Sequence, residues 1–178
     1  MVFTEFLDFV EKKFSPVMVE KLIEQCNLPS GGSYASTGTY DPAEMLSMLN
    51  VLSKETKISI PDLLKAYGEA LFESFSINYP KFFKEKTTAF QFLMSIEDKI
   101  HVEVRKLYPD ATLPHFEYQT PDEKTLIMTY TSERPLADLA EGLAKGCINY
   151  HKEKITLHRE NIPVKKGAKA IFTFNKMD

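Results

Sequence analysis

The sequence has few cysteines and no long apolar run, which excludes several classes of protein. Its 178 residues include two cysteines, Cys26 and Cys147, in neither a CxxC pair nor a zinc-ligand spacing. Two isolated cysteines argue against a disulfide framework and favour a reducing, cytoplasmic location. No segment approaches the ~20 apolar residues that a membrane-spanning helix needs. The N-terminal residues also lack the continuous apolar stretch of a signal peptide, so we expect no membrane association.

An excess of positive charge is also missing. There are 22 Lys and Arg residues against 25 Asp and Glu, the net charge is −3 and the pI is about 5.9. Nucleic-acid binding needs a concentrated basic surface, so nucleic acid is not expected as a partner. Internal repeats and the fingerprints of serine hydrolases, zinc proteases, P-loop proteins and dinucleotide enzymes are absent. The length fits a single domain.

The spacing of apolar residues predicts helices first and strands later. Apolar residues at helical intervals, with N-cap signals at Ser15-Pro16 and Asp41-Pro42, predict helices up to about Phe75. Further elements are a helical stretch at 88–108, as one helix or two in tandem, strands at 115–119 and 125–133, a helix at 135–150, and strands at 155–158 and 170–174. The predicted class is α+β: helices, then a strand–strand–helix–strand–strand part with an antiparallel sheet.

One face of the second predicted strand changes from apolar to polar along its length. Alternate residues of a strand share a face, and this one begins with Leu126 and Met128. It ends with Tyr130, Ser132 and Arg134, whose guanidinium and hydroxyl groups can together bind a carboxylate. Such a face suits a ligand with a flat apolar body and a carboxylate end. On spacing alone, an ordinary strand end leaving the core is the commoner explanation.

The helical stretch that contains His101 has two apolar faces. At ~100° per residue, the main core stripe is centred roughly 120° from His101. The histidine instead shares a smaller patch with Phe90, Met94 and Tyr108. A neutral imidazole in a semi-apolar patch is typical of a heme-iron ligand. Taken alone, a partly exposed surface histidine is the commoner explanation.

Several segments together resemble the heme–nitric oxide/oxygen binding (H-NOX) domains, the heme sensors of soluble guanylate cyclases and of bacterial stand-alone proteins. The segments are DKIHVEVRKLYPDATLPHFE at 98–117, YTSER at 130–134, DLAEGLAKG at 138–146, STGTY at 36–40 and NYPKFF at 78–83. The Tyr-x-Ser-x-Arg triplet is short, but the upstream histidine followed by KLYPDA makes the combination specific. The resemblance covers essentially the whole chain. It implies a single domain over 1–178, with a distal helical part at 1–60, a proximal part with the sheet at 61–178, and heme b between them.

The resemblance also assigns roles to individual residues. His101 matches the proximal ligand of the heme iron, and Tyr130, Ser132 and Arg134 match the group that holds the heme propionates. Pro114 matches a proline that packs on the porphyrin and helps to distort it. The pocket-lining positions of the family correspond to Phe6, Leu71, Phe75, Leu139 and Leu143.

The position of Leu139 bears on which gas would bind. Oxygen-binding members of the family carry a tyrosine five residues after the propionate-binding arginine, where this sequence has Leu139. Leucine donates no hydrogen bond, and Phe6 and Leu71 add no donor. The resemblance therefore implies a five-coordinate ferrous heme that binds NO and CO and excludes O₂.

A structural zinc site found in some bacterial relatives is not expected here. Ala137, Asn161 and Lys169 stand at the cysteine positions of that site, and only His158 remains. One histidine cannot complete a four-ligand site.

In the family, NO weakens the bond between iron and histidine, and the helix that bears the histidine then shifts. The chain has no segment for a cyclase or kinase, so we expect a separate signalling partner. By resemblance this partner is a histidine kinase or a diguanylate cyclase/phosphodiesterase.

Two alternatives to this function stay open. The first is a heme-free interaction module of the same fold. The second is a heme enzyme, which would need distal acid–base groups that the matched apolar positions do not supply.

Overall fold

The N-terminal half of the protein is helical. The computed structural model describes residues 1–36, 38–83, 87–109 and 111–177. The helices of this half are α1 (Val2–Lys13), α2 (Pro16–Gln25), α3 (Pro42–Thr56) and α4 (Ile60–Asn78). The predicted caps are confirmed: the side chains of Ser15 and Asp41 accept hydrogen bonds from first-turn backbone N–H groups. Thr37 and Asp110, which belong to the STGTY and KLYPDA segments, lie outside the described residues.

The helical stretch predicted at 88–108 is interrupted by a π-helical turn. A 3₁₀ turn (Pro80–Phe82) precedes it, and the stretch itself consists of α5 (Ala89–Met94), the π-helical segment Ile96–His101 and α6 (Val102–Leu107). A capping box of Thr88 and Gln91 starts α5. In a π turn each hydrogen bond spans five residues, one more than in an α-helix. Side chains beyond the π turn are therefore rotated about the helix axis relative to the positions that regular α-helical spacing predicts.

The C-terminal half contains the predicted antiparallel sheet. Its elements are β1 (His115–Gln119), β2 (Thr125–Ser132), α7 (Ala137–His151), β3 (Ile155–Ile162) and β4 (Ala168–Lys176). The strand order is β1-β2-β4-β3, with every neighbouring pair antiparallel. The α+β class is thereby confirmed. Strands β3 and β4 are longer than predicted, because backbone pairing such as Asn161 with Ala170 continues beyond the apolar residues.

Two hydrophobic cores lie on either side of the α4–α7 contact. The helical core is formed by α1–α4 and includes Phe6, Leu22, Met48, Leu52 and Tyr67. The mixed core lies between the sheet, α5 and α7 and includes Phe92, Leu126, Met128, Cys147 and Phe172. Helix α4 contributes to both cores, and Leu143 of α7 packs against both. Among the described residues, no helix combines the length and the apolarity needed to cross a bilayer.

Glycines allow α4 and α7 to pack closely. A Cβ atom on Gly142 would lie 2.1 Å from the backbone oxygen of Lys65, and one on Gly68 would lie 2.5 Å from that of Leu139. Both distances are far below a van der Waals contact, so any larger residue would push the helices apart. This contact fixes the position of Leu139 and Leu143 relative to the helical core.

Candidate functional site

His101 is buried, although it lies in a charged stretch of sequence. It is the last residue of the π-helical segment, and its exposed fraction is 7%. Its ring lies 5.8 Å from the ring of Phe116 in β1. A partly exposed surface histidine is therefore not what the structure contains. The π turn explains the difference, because the 100° spacing used for the sequence does not hold through Ile96–His101.

The imidazole of His101 has no hydrogen bond with any residue that the structure describes, and its Nδ1 atom is buried. The nearest carboxylate oxygen given for it is Oε1 of Glu97, 3.5 Å from Nδ1. Burial lowers the pKa of His101, and the Glu97 carboxylate opposes this effect only in part. The imidazole is therefore mainly neutral at pH 7, the state in which a histidine can bind a metal.

Glu97 connects the His101 segment to the first strand. Its Oε1 atom accepts a hydrogen bond of 2.7 Å from the backbone N–H of Phe116. The same oxygen lies 3.5 Å from Nδ1 of His115, which is on β1 as predicted and mostly exposed. The hydroxyl of Tyr118, also on β1, is buried without a hydrogen-bond partner among the described residues. Burial, reinforced by the charges of Glu97 and Asp98, raises the pKa of Tyr118 well above its ordinary value.

The three polar residues at the end of β2 and just beyond it become more exposed along the chain. Tyr130 is buried, Ser132 is half-buried and Arg134 is exposed. The ring of Phe116 is 5.7 Å from that of Tyr130, so Phe116 contacts both Tyr130 and His101. Burial raises the pKa of Tyr130, which keeps its hydroxyl protonated and able to donate.

The hydrogen bonds of Tyr130 and Ser132 reach the backbone of Arg134 and do not involve its guanidinium. The Tyr130 hydroxyl donates a long bond of 3.5 Å to the backbone oxygen of Arg134, and the Ser132 hydroxyl accepts from the Arg134 backbone N–H at 3.1 Å. Among the described residues, no carboxylate pairs with the Arg134 guanidinium. A carboxylate ligand could therefore bind this guanidinium without displacing a partner.

The predicted pocket residues lie mainly with the helical core. Phe6 and Leu71 are buried members of it, and Phe75, Leu139 and Leu143 pack against it. Pro114 is half-buried and immediately precedes β1. The structure thus brings the five apolar residues together in one group, whereas His101 lies beside Phe116, and Phe116 and Tyr130 belong to the mixed core.

Tyr67 is a residue of this region that the sequence did not single out. Its ring packs edge-on against Phe6 at 5.3 Å and is almost fully buried. Its hydroxyl donates a 2.6 Å hydrogen bond to the backbone oxygen of Val2. Nothing in the local sequence predicts that bond, because 65 residues separate its two partners.

A surface groove of 760 Å³ lies elsewhere, between α1, α4 and α7. Lys12, Lys13, Glu69 and Glu73 are among the residues that line it. None of the predicted site residues lines this groove, so it is separate from the candidate site.

Solved structures with this fold define its class. An Fe(II) unliganded H-NOX protein from K. algicida is 40% identical over 99% of this chain and 95% of that chain, with a TM-score of 0.91. An IWP-051-bound H-NOX from Shewanella woodyi in the Fe(II)CO state is 34% identical over 99% and 93% of the two chains, with a TM-score of 0.85. An H-NOX protein from S. oneidensis in the Fe(II)NO state, at 24% identity, covers 99% and 98% with a TM-score of 0.90 and supports the fold alone.

The sequence profile described as "Haem-NO-binding" (HNOB) matches residues 1–159. The chain belongs to this haem-NO-binding, or H-NOX, family. By class it is a heme-based gas-sensor domain. A comparison with curated proteins finds no match.

Proposed function

We propose that this H-NOX domain senses nitric oxide at a ferrous heme b ligated by His101 and excludes O₂. The observation that carries the proposal is the buried, neutral His101 imidazole, which lacks a hydrogen bond with any described residue. A buried polar group without a partner is rare in native proteins and calls for an explanation. An iron bond to the other ring nitrogen, Nε2, would explain why a neutral imidazole is buried here, with Nδ1 facing the Glu97 carboxylate at 3.5 Å.

The residues of the site fit a heme by their chemistry. A porphyrin needs an apolar pocket for its ring and polar groups for its two propionates. The apolar side chains of Phe6, Leu71 and Leu143 can supply the first, and Tyr130, Ser132 and Arg134 the second. Pro114 would lie against the porphyrin, and Phe75 and Leu139 would complete the apolar pocket. Ferrous heme held in this way supplies an iron that binds NO and CO.

The exclusion of O₂ is supported by the surroundings of Leu139. Bound O₂ is polar and is retained by hydrogen-bond donors in the distal pocket. Leu139, Phe6 and Leu71 belong to or pack against the helical core and donate no hydrogen bond. The hydroxyl of Tyr67, whose ring contacts Phe6, already donates to Val2. The chain thus offers O₂ no free donor from this group, whereas NO does not depend on one.

Signal output in this proposal begins at His101. The residue ends the π-helical segment, and α6 follows without a break, so a shift of the imidazole would be transmitted into α6. The resemblance points to a separate histidine kinase or diguanylate cyclase/phosphodiesterase as the receiver. We place the protein in the cytoplasm, since both of its cysteines are buried free thiols.

Absorbance spectroscopy of the purified protein tests the proposal. The ferrous protein should show a five-coordinate heme spectrum that changes with NO and CO but not with air. His101→Ala should weaken heme binding by about 100-fold or more, beyond the ~10–100-fold typical of a group that only supports a ligand. His158→Ala is the matched control and should retain the wild-type spectrum, because His158 is exposed on β3.

The same experiment can overturn the proposal. A colourless protein that takes up no hemin would indicate a heme-free module. A coloured protein whose His101→Ala variant retains its spectrum would contradict the ligand assignment. A shift of the Soret band in air would contradict the exclusion of O₂.

A further inference from the structure

Glu97 is held in place on the side of His101 that carries Nδ1. The side chain is four residues before His101, on the same π-helical segment, and is 18% exposed. Its Oε1 atom accepts the backbone N–H of Phe116 at 2.7 Å and lies 3.5 Å from the His101 Nδ1. The first contact comes from a strand, so the carboxylate position is fixed by tertiary structure and not by the helix alone.

The two histidines beside this carboxylate differ in environment. Both Nδ1 atoms lie 3.5 Å from Glu97 Oε1, but His115 is 65% exposed whereas His101 is 7% exposed. Water competes with the carboxylate for His115 and weakens that contact. The His101 Nδ1 atom is buried, and no described group other than Glu97 is placed to accept its proton.

We propose that Glu97 is a positioning residue for His101: when the ring is ligated, Oε1 accepts a hydrogen bond from Nδ1–H across the present 3.5 Å separation and so presents the opposite nitrogen, Nε2, to the ligand. The inference rests on the proposed function, because it concerns the atom that would bind iron. Histidines that bind metals commonly donate their second N–H to a carboxylate, which fixes the tautomer and ring orientation and makes the imidazole a stronger ligand. Glu97 would therefore strengthen the iron–histidine bond and oppose its release.

Substitutions at Glu97 can separate its charge from its structural role. In Glu97→Gln, the amide oxygen can still accept the Phe116 N–H, so the connection to β1 remains while the charge is removed. Glu97→Ala removes both. Asp98→Asn is the matched control, because it removes a carboxylate from the same segment at an exposed position. Thermal unfolding of each variant reports whether the fold is retained.

The iron–histidine stretching frequency of the ferrous protein, measured by resonance Raman spectroscopy, is the main readout. Glu97→Gln should lower the frequency and Glu97→Ala should lower it further, while Asp98→Asn should leave it unchanged. Heme affinity should fall by about 10-fold or more in Glu97→Gln, the range found for lost second-sphere partners. A purely structural role would lower the unfolding temperature without this graded shift in frequency.

The outcomes separate this inference from the proposed function. If the wild-type protein binds no heme, or binds it independently of His101, both fail. If His101 ligates the heme but Glu97→Gln has the wild-type frequency and affinity, only the role of Glu97 is overturned. If Asp98→Asn shifts the frequency as much as Glu97→Gln, the effect is one of net charge and the specific contact is also overturned.

Discussion

The helical core and the mixed core differ in whether their buried polar groups have hydrogen-bond partners. In the helical half, Glu44 is buried but accepts hydrogen bonds from the hydroxyls of Ser30 and Tyr34, the second at 2.9 Å. The buried hydroxyl of Tyr67 also has a partner, the backbone oxygen of Val2. These bonds hold Ser30, Tyr34 and the backbone at Val2 against the helices.

On the side of the sheet, the pattern is mixed. Glu141 of α7 is buried and paired with Lys145 at 2.8 Å and Arg159 at 3.0 Å. His101 and Tyr118, in contrast, each have a buried polar atom that no residue in the described part of the chain hydrogen-bonds. Both of these residues lie close to Glu97, and Phe116 lies between them in the packing.

This difference is what the proposed function leads us to expect. Buried polar atoms are nearly always satisfied, because an unmade hydrogen bond costs about 1–3 kcal/mol. Among the described residues, such atoms are unsatisfied at His101 and at Tyr118 of β1, whereas those of Glu44, Tyr67 and Glu141 have partners. The unsatisfied atoms near His101 therefore destabilise the folded protein, as is expected for a site that is completed by a ligand.

The substitution with the largest expected effect on stability disrupts the α4–α7 contact that joins the two cores. Gly142→Ala places a Cβ atom 2.1 Å from the Lys65 backbone oxygen, so α4 and α7 must separate. An exposed helical glycine replaced by alanine gains about 1 kcal/mol, but overpacking costs about 1–3 kcal/mol or more. The clash is with the backbone and cannot be relieved by a rotamer change. Taking the upper end of the overpacking cost, about 3 kcal/mol, and the gain of about 1 kcal/mol, we expect a net loss of roughly 2 kcal/mol in the free energy of unfolding, measured with urea.

A matched substitution on the same helix checks this expectation. Asn149→Ala lies at an exposed position of α7 and should change the stability by no more than about 0.5 kcal/mol. A Gly142→Ala variant as stable as wild type would show that the two cores are not rigidly joined through this contact.

A second substitution adds a hydrogen-bond donor to the apolar residues that pack with the helical core. Leu139→Tyr adds a hydroxyl at a residue that packs against the helical core, on the side where we propose that the gas binds. A new hydrogen bond of about 1–1.5 kcal/mol corresponds to roughly a tenfold gain in O₂ affinity. The measurement is the absorbance of the ferrous variant under increasing O₂.

Leu139→Phe is the control for ring size, because it adds the ring without the hydroxyl. It should remain unresponsive to O₂. If the phenylalanine variant binds O₂ as well as the tyrosine variant does, the missing donor is not the reason for exclusion.

The smallest expected effect concerns Tyr34 and the loop that it anchors. Burial, with a further contribution from the Glu44 carboxylate, raises the pKa of Tyr34 to about 12. The unfolded chain loses this proton near pH ~10, so stability from the neutral hydroxyl is complete below that pH. It is lost as the pH rises from about 10 to 12, because unfolding then releases a proton.

Tyr34→Phe keeps the ring that stacks on Phe3 at 4.7 Å and removes the titrating group. The variant should lose less stability than the wild type between pH 10 and 11.5, as measured by urea unfolding at several pH values. Parallel pH profiles for the two proteins would rule out this contribution.

Local sequence patterns predicted the order and kind of the elements well. Strand β1 has the predicted bounds, and the caps at Ser15 and Asp41 are present. The helical stretch predicted at 88–108 is present as two α-helices in tandem, but the π turn between them was not predicted. The prediction of a short final hairpin was also incomplete, because polar residues pair in the ladder as readily as apolar ones.

The sequence by itself determined the chemistry that is available: a histidine, a Tyr-Ser-Arg face and a set of apolar pocket residues, in an order that resembles one family. Tertiary structure decided which of those groups are buried and which lack partners. His101 is buried because β1 packs beside the π turn, and Glu97 is fixed by the Phe116 N–H. Burial and hydrogen bonding depend on contacts between residues distant in the chain, whereas periodicity and capping depend on neighbours, and only the latter can be read from the sequence.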